Sequence, residues 1–161
     1  QRKYPDAITT YRKLIESLDQ TPELTDSKKK ELKNLGFYQI SLVYFQQRKY
    51  RDAIEATEKI TALFMDSAYY MKGYCCQTLG QYPEAITWFT KLTTEFPRSS
   101  LFHLTGFQIA RTLYLQGNKL QALLAFSRLP RQPSYYPAAP GTGRQIEENI
   151  KFIAEELKAN Q

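Results

Sequence analysis

The sequence is poor in the residues that build most catalytic and metal sites. It holds one histidine and two cysteines in 161 residues. A zinc site of the usual kind needs three or four ligands, and His103 has no second histidine and no cysteine at ligand spacing. Cys75 and Cys76 are adjacent. Neighbours on a helix point about 100° apart and do not readily form an unstrained bridge. They read as buried, inert thiols, and no disulfide framework exists. A nucleophile–histidine pair would need Ser99, Ser100 or a cysteine brought to His103 by the fold alone. No Asp/Glu pair stands out as an acid–base site. The stretch GTGR at 141–144 lacks the lysine and the preceding strand of a phosphate loop, so it reads as a helix-entry turn. The expectation is a chain that is not an enzyme, with no catalytic residue, no metal and no cofactor.

Other absences narrow the class. No apolar run approaches the ~18 residues that a spanning helix needs, so no transmembrane segment is expected. No N-x-S/T sequon occurs. Glycines number only seven, and prolines cluster at apparent element boundaries. The text begins at Gln1 in mid-phrase with no charged-then-apolar leader. It therefore reads as a soluble excerpt of a longer chain, cytoplasmic or periplasmic.

What is present is ordinary globular material rich in amphipathic rings, 42% hydrophobic and 14% aromatic with twelve tyrosines. A chain of this length suits one domain and can bury about 70% of its unfolded surface. The formal charge of +6 is dispersed, and the only dense cluster is Lys28-Lys29-Lys30. That argues against nucleic acid as the leading partner.

One phrase occurs three times: YPDAI at 4–8, YRDAI at 50–54 and YPEAI at 82–86. Recurrence at tens of residues signals a repeat architecture. Twelve residues before Ala53, Ala85 and Ala122 stand Ser41, Gly73 and Ala110, small residues inside helical apolar patterns. A short break follows each pattern, at Gln47–Lys49, Gly80–Gln81 and Gly117–Asn118. A second amphipathic segment then begins, with Ala53, Thr57, Ile60, then Ala85, Phe89, Leu92, then Ala122, Phe126, Leu129 at i, i+4, i+7. Each unit is thus a helical hairpin. In the phrase, Pro5 or Pro83 suits a first helical turn, and Asp6 or Glu84 favours the positive end of the helix dipole. The tyrosine staples the entry, and the alanine packs where the two helices approach. The phrase starts a helix and carries no chemistry.

On these residues the sequence resembles a tetratricopeptide repeat protein. The unit Asp66–Pro97 resembles the family pattern in Tyr69, Gly73, Gly80, Tyr82, Ala85, Phe89, Leu92 and Pro97. The unit 34–65 matches in Phe37, Ser41, Tyr44, Tyr50 and Ala53, with Arg48 where glycine is usual. The unit 103–130 matches in Ala110, Gly117, Ala122 and Phe126, with Lys119 in place of tyrosine. Residues 1–18 resemble the second helix of a partial repeat. The whole stretch 1–129 thus reads as repeats. The uneven linkers and the phrase EFPRSS also resemble bacterial envelope members, of the outer-membrane assembly lipoprotein and TolA-binding coordinator type. Thr25–Ser27 is placed to cap one long helix to about Gln47. Pro130–Gly143, with four prolines, reads as a loop. Residues 144–161 read as a terminal helix with Ile146, Ile150, Ile153 and Leu157 on one face, capping the repeat array. The resemblance implies an all-α, right-handed superhelical solenoid of helical hairpins.

In such an array the first helix of each hairpin lines the concave side. The exposed faces expected there are Tyr38, Leu42, Phe45, then Tyr70, Tyr74, Gln77, then Phe107, Arg111, Tyr114, flanked by Gln39, Met71 and Gln108. This aromatic stripe with amides and one cation suits an extended peptide or a partner helix. Family members that bind chaperone tails clamp a carboxylate with several basic residues, and here only Arg111 is available. The function expected is a protein–protein interaction scaffold or adaptor in a multiprotein assembly. The alternatives are a nucleic-acid-associated repeat or a self-associating structural subunit. Tyr135 and Tyr136, flanked by Arg131 and Arg144, form a second candidate surface in a stretch that otherwise reads as a linker.

Overall fold

The computed structural model describes residues 3–61, 63–136, 139 and 141–159. Parts of the expected partial repeat, first hairpin, proline-rich loop and terminal helix, namely positions 1, 2, 62, 137, 138, 140, 160 and 161, lie outside them. Among the described residues there are eight α-helices and no strand. The chain divides into two compact units, Gln1–Leu79 and Gly80–Gln161.

The first unit holds α1 (Lys3–Ser17), α2 (Asp26–Gln46), α3 (Tyr50–Glu58) and α4 (Met65–Thr78), with a 3-10 turn at Leu18–Gln20. Each helix packs on the next in chain order. The long α2 starts where its cap allows. The Thr25 hydroxyl accepts from the Lys28 N–H at 3.3 Å, satisfying one of the donors that a helix start leaves open. Ile8 and Ile15 of α1 meet Ile40 of α2 and Ala56 of α3 in one apolar cluster. Ala53, Met71 and Cys75 form a second cluster with Leu42, Phe45 and Ile54 packed against it. Ser41 and Ala53, the small pair expected at the α2–α3 approach, are both fully buried.

The second unit holds α5 (Tyr82–Glu95), α6 (Phe102–Leu115), α7 (Lys119–Ser127) and α8 (Thr142–Ala159), with a 3-10 turn at Pro133–Tyr135. Again each helix packs on the next. Pro83 and Glu84 occupy the first turn of α5, where a missing N–H is no loss and a carboxylate meets the positive dipole end. Phe89, Leu92, Phe126, Ile146 and Ile153 are almost completely buried, and each contributes about 1.5–3 kcal/mol by leaving water. The terminal helix starts at Thr142, two residues before the expected Arg144. The Thr142 hydroxyl donates to the Ala139 carbonyl at 2.7 Å, and the backbone of Gly143 lies against that of Arg131. Part of the expected entry turn is therefore the first turn of α8.

The hairpin turns explain one departure from the repeat pattern. At Arg48 and Gly117 the backbone is left-handed, with φ of 60° and 91°. Both turns close with the same pair of bonds: Lys49 N–H to Tyr44 and Arg48 N–H to Phe45, then Asn118 N–H to Leu113 and Gly117 N–H to Tyr114. This is the six-residue C-terminal helix motif that prefers glycine. Arg48 adopts the same conformation although it carries a Cβ, which costs about 1–2 kcal/mol. Arg48→Gly is therefore expected to stabilise the chain by about 0.5–1 kcal/mol, after the flexibility glycine adds to the unfolded state. A shift of the urea midpoint to higher concentration at constant slope would show it. A lower midpoint would contradict the assignment.

Candidate partner-binding surface

In the first unit the α2–α4 region gathers rings. Tyr38 stacks face to face on Phe64, with centroids 5.5 Å apart and planes 3° from parallel. Phe45 meets Tyr50 of α3 and Tyr74 of α4 edge to face, both at 5.6 Å. Tyr70 and Tyr74 lie 6.2 Å apart along α4. Tyr38, Phe45, Tyr70 and Tyr74 are all half-buried. Each stays partly open to solvent while a neighbouring ring packs against it, which is how rings serve as preorganised contact anchors.

Two rings here were not among the expected site residues. Tyr50 belongs to the recurring phrase, in which the tyrosine is expected to staple the helix entry. Phe64 precedes α4 with φ of 71°, a region in which a bulky residue is rare and costly. The composition around Phe64 gives no sign of this conformation. Its stack on Tyr38 is the contact seen to accompany it.

The other expected residues of this unit are half-buried or buried. Gln39 is half-buried, and Leu42 packs against the cluster of Ala53, Met71 and Cys75. Met71 and Gln77 are only 7% and 6% exposed. The physical reason is that α4 is enclosed on most sides: Ala68, Met71, Lys72, Gly73, Cys75, Cys76 and Gln77 are all buried. The thiol of Cys75 is pushed up to about 12, first by burial and then by Cys76 beside it. A thiol so shifted is not a nucleophile near neutral pH.

In the second unit the expected residues divide the same way. Arg111 is exposed on α6. Phe107 and Gln108 are each 5% exposed. Phe107 meets Phe126 of α7 edge to face at 5.5 Å, so it is a core ring. Tyr114 is half-buried and engaged by the terminal helix. Its hydroxyl donates to Glu156 at 3.0 Å, and its ring meets Phe152 at 6.2 Å. Burial, and then Glu156 as acceptor and charge, raise the Tyr114 phenol above its ordinary range. Lys119 of α7 also reaches Glu156, at 3.3 Å.

The second candidate surface is tied down. Tyr136 is fully buried and its hydroxyl donates to the Pro130 carbonyl at 2.7 Å. Arg131 donates to the carbonyls of Ser127 and Leu129. Of the two tyrosines only Tyr135 is exposed, and it stands edge-on to His103 at 4.7 Å. Burial lowers the His103 pKa. Among the described residues no group of three His, Cys, Asp or Glu side chains is placed to hold a metal ion. No helix of the described residues is long and apolar enough to cross a membrane. In the basic stretch Lys28 is paired with Glu31 at 2.9 Å, and nearby Lys33 with Asp19 at 2.6 Å.

Helical hairpins closed by left-handed turns, with small residues buried at the approach of paired helices, define a tetratricopeptide-repeat protein. The family model described as anaphase-promoting complex, cyclosome, subunit 3 matches residues 1–92. The chain belongs to that family. No curated protein matches it. Among solved structures it is similar to Podosopora anserina kinesin light chain nearly identical TPR-like repeats, at TM-score 0.60 and 13% identity, covering 98% of this chain and 86% of that one. A variant of that protein matches with the same TM-score and coverage at 12% identity. Tetratricopeptide repeats generally bind other proteins and generally serve as non-catalytic scaffolds.

Proposed function

We propose that the chain is a scaffold that holds a peptide or helix of another protein within a multiprotein assembly. The hairpins expected at 34–65, 66–97 and 103–130, after the partial repeat at 1–18, act as the repeats of that scaffold. In the first unit contact is made through the exposed faces of α2 and α4, and in the second through that of α6. The observation that carries this reading is the half-buried ring set of the first unit, with Tyr38 stacked on Phe64, Phe45 edge to face with Tyr50 and Tyr74, and Tyr70 beside Tyr74. Preorganised aromatic anchors are what protein interfaces concentrate at their energetic centres. Arg111 adds one exposed cation on α6, suited to a backbone carbonyl or a carboxylate of the partner. The family description, a subunit of a complex, supports the same reading.

The test is affinity capture from native lysate in the presence of nuclease, with wild type and variants side by side. Tyr74→Ala and Arg111→Glu are each expected to reduce retention of one specific protein by about tenfold or more, the range of an interface hot spot. Helical content by circular dichroism should stay at the wild-type level. Equal retention by all three proteins would refute the reading.

A further inference from the structure

The first unit carries a second recess, made by different faces of its helices. A cleft of about 470 Å³ opens between α1, α2 and α3, within the ~300–1,000 Å³ range of ligand clefts. Its walls follow helical spacing. α1 contributes Arg12, Ile15 and Glu16, and α3 contributes Asp52, Glu55 and Lys59. α2 supplies the floor with Phe37, Ile40 and Tyr44. These α2 positions are offset by one residue from Tyr38 and Phe45, about 100° around the helix. The cleft is therefore separate from the aromatic surface.

The floor is apolar and the rim is charged, with the charges unequally committed. Arg12 donates to the Tyr44 hydroxyl at 3.2 Å. Lys59 sits over the Phe37 ring at 5.5 Å. Glu16, Asp52 and Glu55 are exposed and form no ion pair among the described residues. Asp52 and Glu55 stand three residues apart on one face of α3, a like-charge spacing that is mildly destabilising. Three unpaired carboxylates thus edge an apolar recess in a chain of formal charge +6.

We propose that this cleft is a second binding site and takes a lysine-bearing segment of a partner protein. A lysine has the matching anatomy. Its four-carbon stem can lie on Ile15, Ile40 and Phe37 while its three donors reach Glu16, Asp52 and Glu55. The apolar neighbours of that lysine on the partner complete the contact with the floor.

The test uses a fluorescent, capped peptide of alanine, leucine and lysine, and its counterpart with glutamate for lysine. Fluorescence anisotropy gives the affinity, and amide shifts in the nuclear magnetic resonance spectrum of the wild-type chain locate the site. Saturable binding of the lysine peptide is expected, with shifts in residues 12–16 and 52–59. Asp52→Asn with Glu55→Gln, nearly isosteric at exposed positions, should weaken it about tenfold, and Asp52→Lys with Glu55→Lys should abolish it. Equal binding by wild type and the Asn/Gln variant would overturn the proposal. So would tighter binding of the glutamate peptide, which would assign the cleft to an anion held by Arg12 and Lys59. No binding of the lysine peptide at millimolar concentration would also overturn it.

Discussion

Gly143→Ala is expected to destabilise the second unit by about 3 kcal/mol, at the upper end of overpacking effects. A Cβ at this position would overlap the carbonyl oxygen of Arg131 and approach its carbonyl carbon to 2.9 Å. The obstacle is backbone, so no rotamer change relieves it. That backbone is also held in place. The Arg131 guanidinium donates to the carbonyls of Ser127 and Leu129, and the Tyr136 hydroxyl binds the adjoining Pro130 carbonyl. The start of α8 must move instead, which disturbs Ile146 and Ile153, both essentially sealed from solvent. Chemical denaturation followed by far-ultraviolet circular dichroism measures the effect. A loss below about 0.5 kcal/mol, the range of ordinary surface substitutions, would mean that the segment before α8 yields freely.

Tyr136→Ala is expected to cost about 4 kcal/mol, in the range for removing a buried aromatic ring. Tyr136 is the largest fully buried side chain of the chain's described part. Tyr136→Phe separates ring from hydroxyl. It removes only the bond to Pro130, worth about 1 kcal/mol plus the cost of leaving the carbonyl unpaired. The same pair gives a pH signature. Burial raises the Tyr136 phenol above 10.0, against a smaller lowering by Arg131. The native state therefore holds this proton at pH values where the unfolded chain has released it. Stability from this group is complete below pH 10 and falls as pH rises above it. Tyr136→Phe should show a shallower alkaline decline than wild type. An identical decline in the two proteins would place the effect on other tyrosines, Tyr114 among them.

The hairpins were legible because their signals are local. Apolar spacing, the recurring phrase and the short breaks fix where helices start and turn. Even the Arg48 departure keeps the left-handed turn, since the chain must reverse there whichever residue occupies it. The candidate surface was legible only in part. On α6, apolar residues occur on several faces, so spacing alone did not separate the buried Phe107 from the exposed Arg111 beside it on the helix. Tyr114 is committed to Glu156, 42 residues away, and no local pattern announces such a pairing. The proline-rich stretch reads as loop from composition, yet one of its two tyrosines is a core residue. Composition reports the backbone's irregularity and says nothing of which ring turns inward.

In the proposed function the half-buried rings of α2 and α4 contact another protein. The most direct measurement is site-specific photo-crosslinking in the native lysate, with a photoreactive phenylalanine analogue at position 74 and, separately, at the exposed position 90 of α5. One discrete protein adduct is expected from position 74 and none from position 90. Adducts of equal yield from both positions, or from position 90 alone, would contradict it.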